Sequence, residues 1–164
     1  MNVTALEEYG LRCAVQLASL SEGKTLSAPE IAEREGLSIE YVSKFMLLLK
    51  RAELVRTVRG IKGGFALSKA PGEISLKEVL DALNGRKKSG SEFCKSFTGK
   101  SEACVRIGSC SIRPFWDLLS GYVEEFTSRM TLADLIRPEE EIRDKTRSIA
   151  SDHVGQMRKG EMRS

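Results

Sequence analysis

Three of the four cysteines in this 164-residue chain lie close together in the sequence and could hold a metal centre. Cys94, Cys104 and Cys110 are separated by nine and then by five residues. Thiolates are soft ligands that suit iron-sulfur clusters, zinc and copper(I). The stretch from Arg86 to Ser109 around them is rich in Gly, Ser and Lys and has little periodicity, so we expect a loop that can wrap around such a centre. The spacing therefore predicts a metal or cluster site that still lacks one ligand.

The remaining cysteine and the single histidine have different surroundings in the sequence. Cys13 falls on the apolar side of the first predicted helix, where a thiol usually packs as a small apolar side chain. His153 belongs to a highly charged C-terminal segment and is expected to be a solvated surface residue. We therefore predict that Cys13 is a core residue and keep His153 only as a fallback ligand.

A second group of residues could contact a nucleic acid. Between Lys44 and Lys69, seven Lys and Arg residues accompany a single acid, although the net charge of the whole chain is only +3. The start of the predicted third helix exposes side chains that can bond to base edges or phosphates, namely Ser38, Glu40, Tyr41, Ser43 and Lys44. Arg59, Gly60 and Lys62 would lie on a thin, glycine-rich hairpin tip that can approach a groove. Together these residues predict a DNA-binding surface.

Periodicity and capping predict the elements that position these residues. Apolar residues at helical spacing indicate a first helix from about Thr4 to Leu20, capped by Thr4. Ser27 caps a second helix that ends at Gly36, and Ser38 caps a third. The third helix is expected to bury Tyr41, Val42, Phe45, Leu48 and Leu49. The stretch from Leu54 to Leu67 carries β-branched residues and glycines and predicts a β-hairpin.

A helix-turn-helix followed by a hairpin is a winged helix, so the chain is predicted to be mainly α with a small β-hairpin wing. Residues 1–85 would form the winged helix-turn-helix domain, whose last helix is capped by Ser75, and residues 86–110 the cysteine loop. Residues 111–136 would form a long amphipathic helix and a short following one, and the charged tail 137–164 a frayed helix or a disordered segment. The apolar stripe of the long helix is too wide for one helix to bury alone.

Composition limits the class of protein. Apolar residues make up 41% and charged residues 30%, which is the balance of a soluble globular protein. No apolar run approaches the roughly 18 residues that a membrane helix needs, and the first nine residues carry two glutamates where a signal peptide would be basic. We expect a cytoplasmic protein with reduced cysteines and no membrane partner. The sequence contains no P-loop and no plausible catalytic dyad, so we do not expect an enzyme.

Several passages resemble the winged-helix iron-sulfur transcription regulators of the IscR/NsrR family. They are Leu6–Arg12, Ile31–Ser38, Tyr41–Lys44, Leu54–Gly60 with Gly63–Phe65, and Thr131–Leu135. The Val-Arg-Gly of the wing, ending at Gly60, is the most specific piece, and the resemblance runs from about residue 1 to residue 136. It implies a homodimer formed through the helix from Ser111 to Met130. That dimer would bind a palindromic operator in double-stranded DNA, with its wings in the minor groove.

The resemblance also bears on the cysteines. The family has three cysteines here, usually with a first interval as short as the second, so the longer first gap of this chain departs from the pattern. In the IscR branch a histidine three residues past the last cysteine completes the site, and this chain has Arg113 there. In the NsrR branch the fourth ligand resembles an aspartate near the N-terminus of the partner subunit, and the matching residue here is Glu8. A weakly held carboxylate favours a labile 4Fe-4S cluster over a 2Fe-2S cluster.

The resemblance implies a transcription regulator whose operator binding responds, through the cluster, to nitric oxide, redox state or iron-sulfur supply. We hypothesise that the cluster orders the Arg86–Ser109 loop against the long helix and the first helix, and so sets the distance between two recognition helices. One alternative is a cluster-free repressor that senses thiol redox state or binds zinc. Another is a small iron-sulfur electron carrier or a protein-interaction module without DNA binding, although such carriers usually hold their cluster with four cysteines.

Overall fold

The computed structural model describes residues 3–60, 63–85, 94, 99–100 and 104–161, with side chains up to residue 152. This part is mainly helical and contains a two-stranded antiparallel sheet, which confirms the predicted fold class. In chain order the elements are α1 (Ala5–Ala18), α2 (Ala28–Glu35), α3 (Ile39–Arg51), β1 (Val55–Val58), β2 (Gly64–Leu67), a 3-10 turn (Pro71–Glu73), α4 (Leu76–Asn84), α5 (Arg113–Arg129), α6 (Leu132–Leu135) and α7 (Glu139–Glu161). None of the described helices is both long enough and apolar enough to span a membrane.

Reciprocal capping boxes begin α1, α2 and α4. In α1 the Thr4 hydroxyl accepts a hydrogen bond from the Glu7 backbone N–H at 3.2 Å, and the Glu7 carboxylate accepts one from the Thr4 N–H at 2.9 Å. Ser27 and Ser75 form the same pair of bonds with the glutamate three residues farther on. Such caps satisfy N–H groups that the first turn of a helix leaves unpaired, which is why these helix starts could be predicted from the sequence.

The hydrophobic core is built around the inner face of α3. That face contributes four fully buried side chains, Val42, Phe45, Met46 and Leu49. Two predicted core positions differ in the structure, because Tyr41 is 43% exposed and Leu48 is only partly buried, whereas Met46 lies inside. The four buried positions share one face of a helix with 3.6 residues per turn, and Tyr41 lies beside that face. Its ring still meets Phe45 edge-on, with the ring centroids 5.1 Å apart.

The β-hairpin is attached to the loop before α2. The Leu26 N–H donates to the Phe65 carbonyl at 3.1 Å, and the Phe65 N–H donates to the Leu26 carbonyl at 2.7 Å. A Cβ atom on Gly64 would lie 2.5 Å from the Leu26 carbonyl oxygen, so this position needs glycine for the close approach of the two backbones. The wing is therefore held against the domain by its second strand.

The charged tail contains a helix, since residues Glu139–Glu161 form α7. Ile149 is only 4% exposed, Ile142 packs against the same core, and the Lys145 ammonium donates to the buried Asp134 carboxylate at 2.6 Å. Two isoleucines seven residues apart lie on one helix face, and this pair gives α7 an apolar side despite its high charge content.

Asp134 connects three parts of the C-terminal region. Its carboxylate accepts hydrogen bonds from the Thr131 N–H at 2.8 Å, from the Thr131 hydroxyl at 2.9 Å and from Lys145. Burial raises the pKa of Asp134, but the bonds from Lys145 and Thr131 lower it by more, so the net pKa lies below its usual value. The ionised carboxylate is therefore favoured by folding.

Replacing Asp134 with Ala should lower the free energy of unfolding by about 1–3 kcal/mol at neutral pH, because a cap and a partly buried ion pair are lost together. Since the folded pKa is depressed, this contribution is present above the unfolded pKa of about 3.9 and is lost as the pH falls through the folded pKa. Urea unfolding across this pH range measures it. The matched control is Glu139→Ala, because Glu139 forms an exposed ion pair with Arg143 and should contribute less than about 0.5 kcal/mol. Equal losses for the two variants would contradict the assignment.

Candidate nucleic-acid interface and cysteine segment

Helices α2 and α3 form the helix-turn-helix, and a glycine makes the turn between them. Gly36 has a φ of 65°, a left-handed conformation that glycine adopts without strain. Ser38 then begins α3, where its hydroxyl accepts from the Tyr41 backbone N–H at 3.2 Å. The end of α2 is held against α1, because the Arg12 guanidinium contacts the Glu35 carboxylate at 2.6 Å. These contacts determine how α3 projects from the domain.

The N-terminal part of α3 presents the side chains that the sequence predicts as DNA contacts. Glu40, Tyr41, Ser43 and Lys44 are all exposed. The backbone N–H of Glu40 and the Ser38 hydroxyl lower the pKa of the Glu40 carboxyl. The carboxylate therefore stays charged at neutral pH and can accept a hydrogen bond from a cytosine amino group. The Ser38 hydroxyl caps α3 and also interacts with the Glu40 carboxylate. In this structure Ser38 therefore positions its neighbours.

A single row of exposed residues runs along the side of α3 opposite its buried face. Glu40, Lys44, Leu47 and Arg51 follow one another at intervals of four, three and four residues, and all are exposed. Residues at these spacings are neighbours on a helix surface. We call these four residues the outer row. Leu47 and Arg51 were not among the contacts predicted from the sequence, although the helical spacing that relates them to Lys44 is visible there.

The tip of the wing carries the other predicted contacts. Arg59 and Gly60 lie exposed just after β1. Gly60 has a φ of 125°, and its carbonyl accepts from the Gly63 N–H at 2.9 Å, which closes the tip. Lys62 lies outside the described residues. The described part of the tip is therefore a narrow turn with an exposed guanidinium beside it.

The cations of α3 and the wing are available for an external partner. Five exposed residues make no ion pair with any residue that the structure describes, namely Lys44, Lys50, Arg51, Arg56 and Arg59. Lys69, by contrast, lies 3.8 Å from the Glu78 carboxylate. Exposed, unpaired cations create a positive potential that attracts phosphate groups. This surface is therefore suited to a nucleic acid.

The four cysteines occupy two kinds of environment. Cys13 is fully buried in the core, as predicted. Burial raises the pKa of the Cys13 thiol to about 12, and the Glu35 carboxylate acts in the same direction. A thiol in this setting is inert, because the thiolate is the reactive and metal-binding form. The three clustered cysteines, Cys94, Cys104 and Cys110, are instead partly exposed.

Cys104 and Cys110 lie on either side of a compact turn. The Ile107 N–H donates to the Cys104 carbonyl at 3.1 Å. The Arg113 guanidinium, at the start of α5, donates to the Ile107 carbonyl at 3.2 Å. Arg113 therefore ties the turn between these cysteines to the first residues of the long helix, a role that its position in the sequence did not indicate.

The donor chemistry of the cysteine segment fits a metal or cluster, since accessible thiols are the ligands that iron-sulfur clusters and zinc use. In the described ranges, no group of three or more His, Cys, Asp and Glu residues is placed so that it could hold a metal ion. Glu8 is exposed in the first turn of α1, where the helix dipole also favours an acid. His153 lies in α7, and its side chain is outside what the structure describes. The structure thus does not bring the predicted ligands together.

Helix α5 carries one apolar stripe that has two environments. Near the C-terminal end of the helix, Phe126 packs against the domain core. Near its N-terminal end the apolar side chains are exposed: Phe115 by 57%, Trp116 by 50%, Leu118 by 55% and Leu119 by 37%. The rings of Phe115 and Trp116 meet edge-to-face, with centroids 5.0 Å apart. A contiguous exposed apolar face of this kind is typical of a protein–protein contact.

Comparison with known proteins identifies one family. A family model described as Rrf2, iron-dependent transcriptional regulator, matches residues 3–138. The chain is 31% identical over 140 residues to a putative HTH-type transcriptional regulator of Azotobacter vinelandii, covering 83% of this chain and 79% of the relative. It is 28% identical over 140 residues to the HTH-type transcriptional regulator IscR of Cronobacter sakazakii, covering 85% and 83% of the two chains.

Solved structures agree with the fold described above. The chain is similar to IscR of T. potens, with a TM-score of 0.64 and 27% identity over 83% of this chain and 86% of that one. It is also similar to CymR of Staphylococcus aureus, with a TM-score of 0.58 and 26% identity over 79% and 93% of the two chains. Helix α7 begins at the residue after the family match ends.

Proposed function

Because the chain belongs to the Rrf2 family of transcriptional regulators, we propose that it binds a palindromic operator as a homodimer and that an iron-sulfur cluster controls this binding. The observation that carries the DNA-binding part is the common exposure of the outer row of α3 and of Arg59, with their cations unpaired among the described residues. In a helix-turn-helix the second helix enters the major groove, and its first residues lie near base edges. A narrow wing then brings Arg59 to the adjacent minor groove, where arginine is favoured.

Replacing Arg59 with Ala should weaken operator binding by about 1–3 kcal/mol, which corresponds to roughly five- to 150-fold. The reason is that Arg59 is exposed at the wing tip and makes no ion pair within the described residues. Binding is measured by titrating a duplex that the protein itself selects from a randomised library, at a stated salt concentration. Lys69→Ala is the control, since Lys69 already faces Glu78. If the two substitutions reduced affinity equally, the wing would have no special role.

The dimer part of the proposal rests on α5. Its N-terminal half exposes Phe115, Trp116, Leu118 and Leu119, and a second copy of the same helix would cover them. A two-fold dimer places two recognition helices about one DNA turn apart, so the operator should be a palindrome with matching half-site spacing. The apolar stripe thus supports both the proposed dimer and the proposed symmetry of the operator.

The sensing part of the proposal rests on the cysteines and on the family. We assign Cys94, Cys104 and Cys110 as thiolate ligands and Glu8 of the partner subunit as a weak fourth ligand, with 4Fe-4S favoured over 2Fe-2S. When bound, the cluster supplies an iron that reacts with nitric oxide or oxygen and is lost when iron-sulfur supply fails. Arg113 holds the turn between Cys104 and Cys110 against α5, so the state of the cysteines can reach the dimer helix. We place this activity in the cytoplasm, where thiols are kept reduced.

A second candidate is a regulator that senses thiol oxidation or holds zinc without a cluster. The observation that favours it is the similarity to CymR of Staphylococcus aureus, which has also been solved in an oxidised form. Metal and sulfide analysis of anaerobically purified protein separates the two candidates, because only the cluster contains inorganic sulfide.

A further inference from the structure

An exposed leucine lies in the middle of the outer row of α3. Leu47 is 48% exposed, and its neighbours in the row are Lys44 before it and Arg51 after it. The face that packs into the core, formed by Val42, Phe45, Met46 and Leu49, lies on the opposite side of the helix. Leu47 therefore contributes nothing to the core and sits at the centre of the surface that would face DNA.

The chemistry of Leu47 matches one feature of the major groove. Thymine alone among the four bases presents a methyl group there, and apolar side chains recognise it by contact. Lys44 and Arg51 on either side of Leu47 are free to bond phosphates, and such bonds hold a recognition helix in the groove. Contact with the bases would then remove the Leu47 side chain from water. This burial is favourable when the side chain meets an apolar group such as the thymine methyl.

The position of Leu47 separates its contact from those at the start of α3. Glu40 and Leu47 are seven residues apart, which is about 10 Å along a helix axis and on the order of three base-pair steps. With α3 lying along the groove, Leu47 would therefore reach a different base pair from the one that Glu40 reaches.

We propose that Leu47 is a specificity-determining residue that recognises a thymine methyl group in each half-site of the operator. This inference rests on the proposed DNA-binding function and adds to it a base preference and the residue that produces it. Cytosine and uracil lack the methyl group, so Leu47 selects thymine against both.

The test uses the full-length protein and duplex DNA selected by that protein from a randomised library. In the selected site, each conserved thymine of a half-site is replaced in turn by deoxyuridine, which removes only the methyl group. We expect one such replacement to weaken binding by about fourfold per half-site, the value for one apolar carbon group lost from a contact. For Leu47→Ala the same replacement should have no effect, and a new selection with this variant should lose the preference for thymine at that position.

Ile39→Ala is the matched control, because Ile39 is also 48% exposed on α3 but lies outside the outer row. This variant should keep the full response to deoxyuridine. If the wild-type protein selects a defined half-site but tolerates deoxyuridine at every thymine, the inference is overturned while the DNA-binding function stands. If the wild-type protein enriches no sequence at all, the proposed function fails first. Leu47 is exposed, so both variants should unfold at the wild-type temperature, which separates loss of recognition from loss of fold.

Discussion

Replacing Trp116 with Glu should convert the protein from a dimer to a monomer and weaken operator binding by about 10²- to 10⁴-fold. Trp116 is half exposed within the apolar stripe of α5, next to Phe115, where a second copy would bury it. A glutamate at this position would place an unpaired charge inside the contact, which costs several kcal/mol. The monomer would then bind each half-site separately and lose the gain in effective concentration that a linked pair of recognition helices provides. Sedimentation gives the oligomeric state, and titration of the selected duplex gives the affinity.

The control for this prediction introduces the same charge on the other side of the same helix. Ser128 is exposed on the polar side of α5, so Ser128→Glu should leave the dimer and its affinity unchanged. Trp116 lies outside the buried core, so both variants should remain folded. Circular dichroism checks this. A folded Trp116→Glu variant that remains dimeric and binds normally would show that α5 is not the dimer contact.

Replacing Cys104 with Ala should remove nearly all bound iron and sulfide and make operator affinity independent of nitric oxide. Cys104 is one of three partly exposed thiols, and two thiolates with a weak carboxylate are too few to retain a cluster. The measurement is iron and sulfide per chain with a visible spectrum, taken anaerobically before and after a stoichiometric nitric-oxide donor. Wild-type protein with about four irons per chain would support the 4Fe-4S assignment, and about two irons would support 2Fe-2S.

Cys13→Ala is the control for the cluster prediction. Cys13 is fully buried, and its thiol has a strongly raised pKa, so this substitution should leave the iron and sulfide content unchanged. Full iron and sulfide in the Cys104→Ala variant would contradict the ligand assignment. A colourless wild-type protein that contains zinc, or whose DNA binding follows thiol oxidation, would favour the second candidate function. The proposed DNA-binding surface of α3 and the wing does not depend on that outcome.

Local features of the sequence determined most of the winged-helix domain. The hydroxyl residues Thr4, Ser27 and Ser75, each with a glutamate three residues later, mark helix starts because the capping bonds join neighbours in the chain. The glycines of the wing predict a tight hairpin for a similar reason, since backbone freedom and close approach belong to the residue itself. The fold class and the exposure of Glu40, Ser43 and Lys44 at the start of α3 therefore followed from the sequence.

The geometry of the cysteine segment depends on more than the local sequence. Residue type and spacing predict a soft-metal site at Cys94, Cys104 and Cys110, because thiolate chemistry is a property of the side chain. The spacing does not say whether three distant positions meet, and the structure shows instead how Arg113 ties the turn between two of them to α5. Assembly of the ligands therefore depends on contacts beyond the local chain.

Only the tertiary structure decided the remaining features, because each depends on which side chains are covered by residues that are distant in the sequence. The orientation of α3 against the core leaves Tyr41 exposed, although it was among the predicted core positions, and buries Met46, which was not. The same orientation placed Leu47 outward, at the centre of the outer row, where its side chain became a candidate for base recognition. The high charge of the tail predicts a frayed or disordered segment. In the structure, Ile149 is buried in a core that also contains residues more than a hundred positions earlier in the chain, and the Lys145 ammonium donates to the Asp134 carboxylate. Periodicity shows that a helix has an apolar face, but burial of that face depends on the partner surface, which the fold supplies.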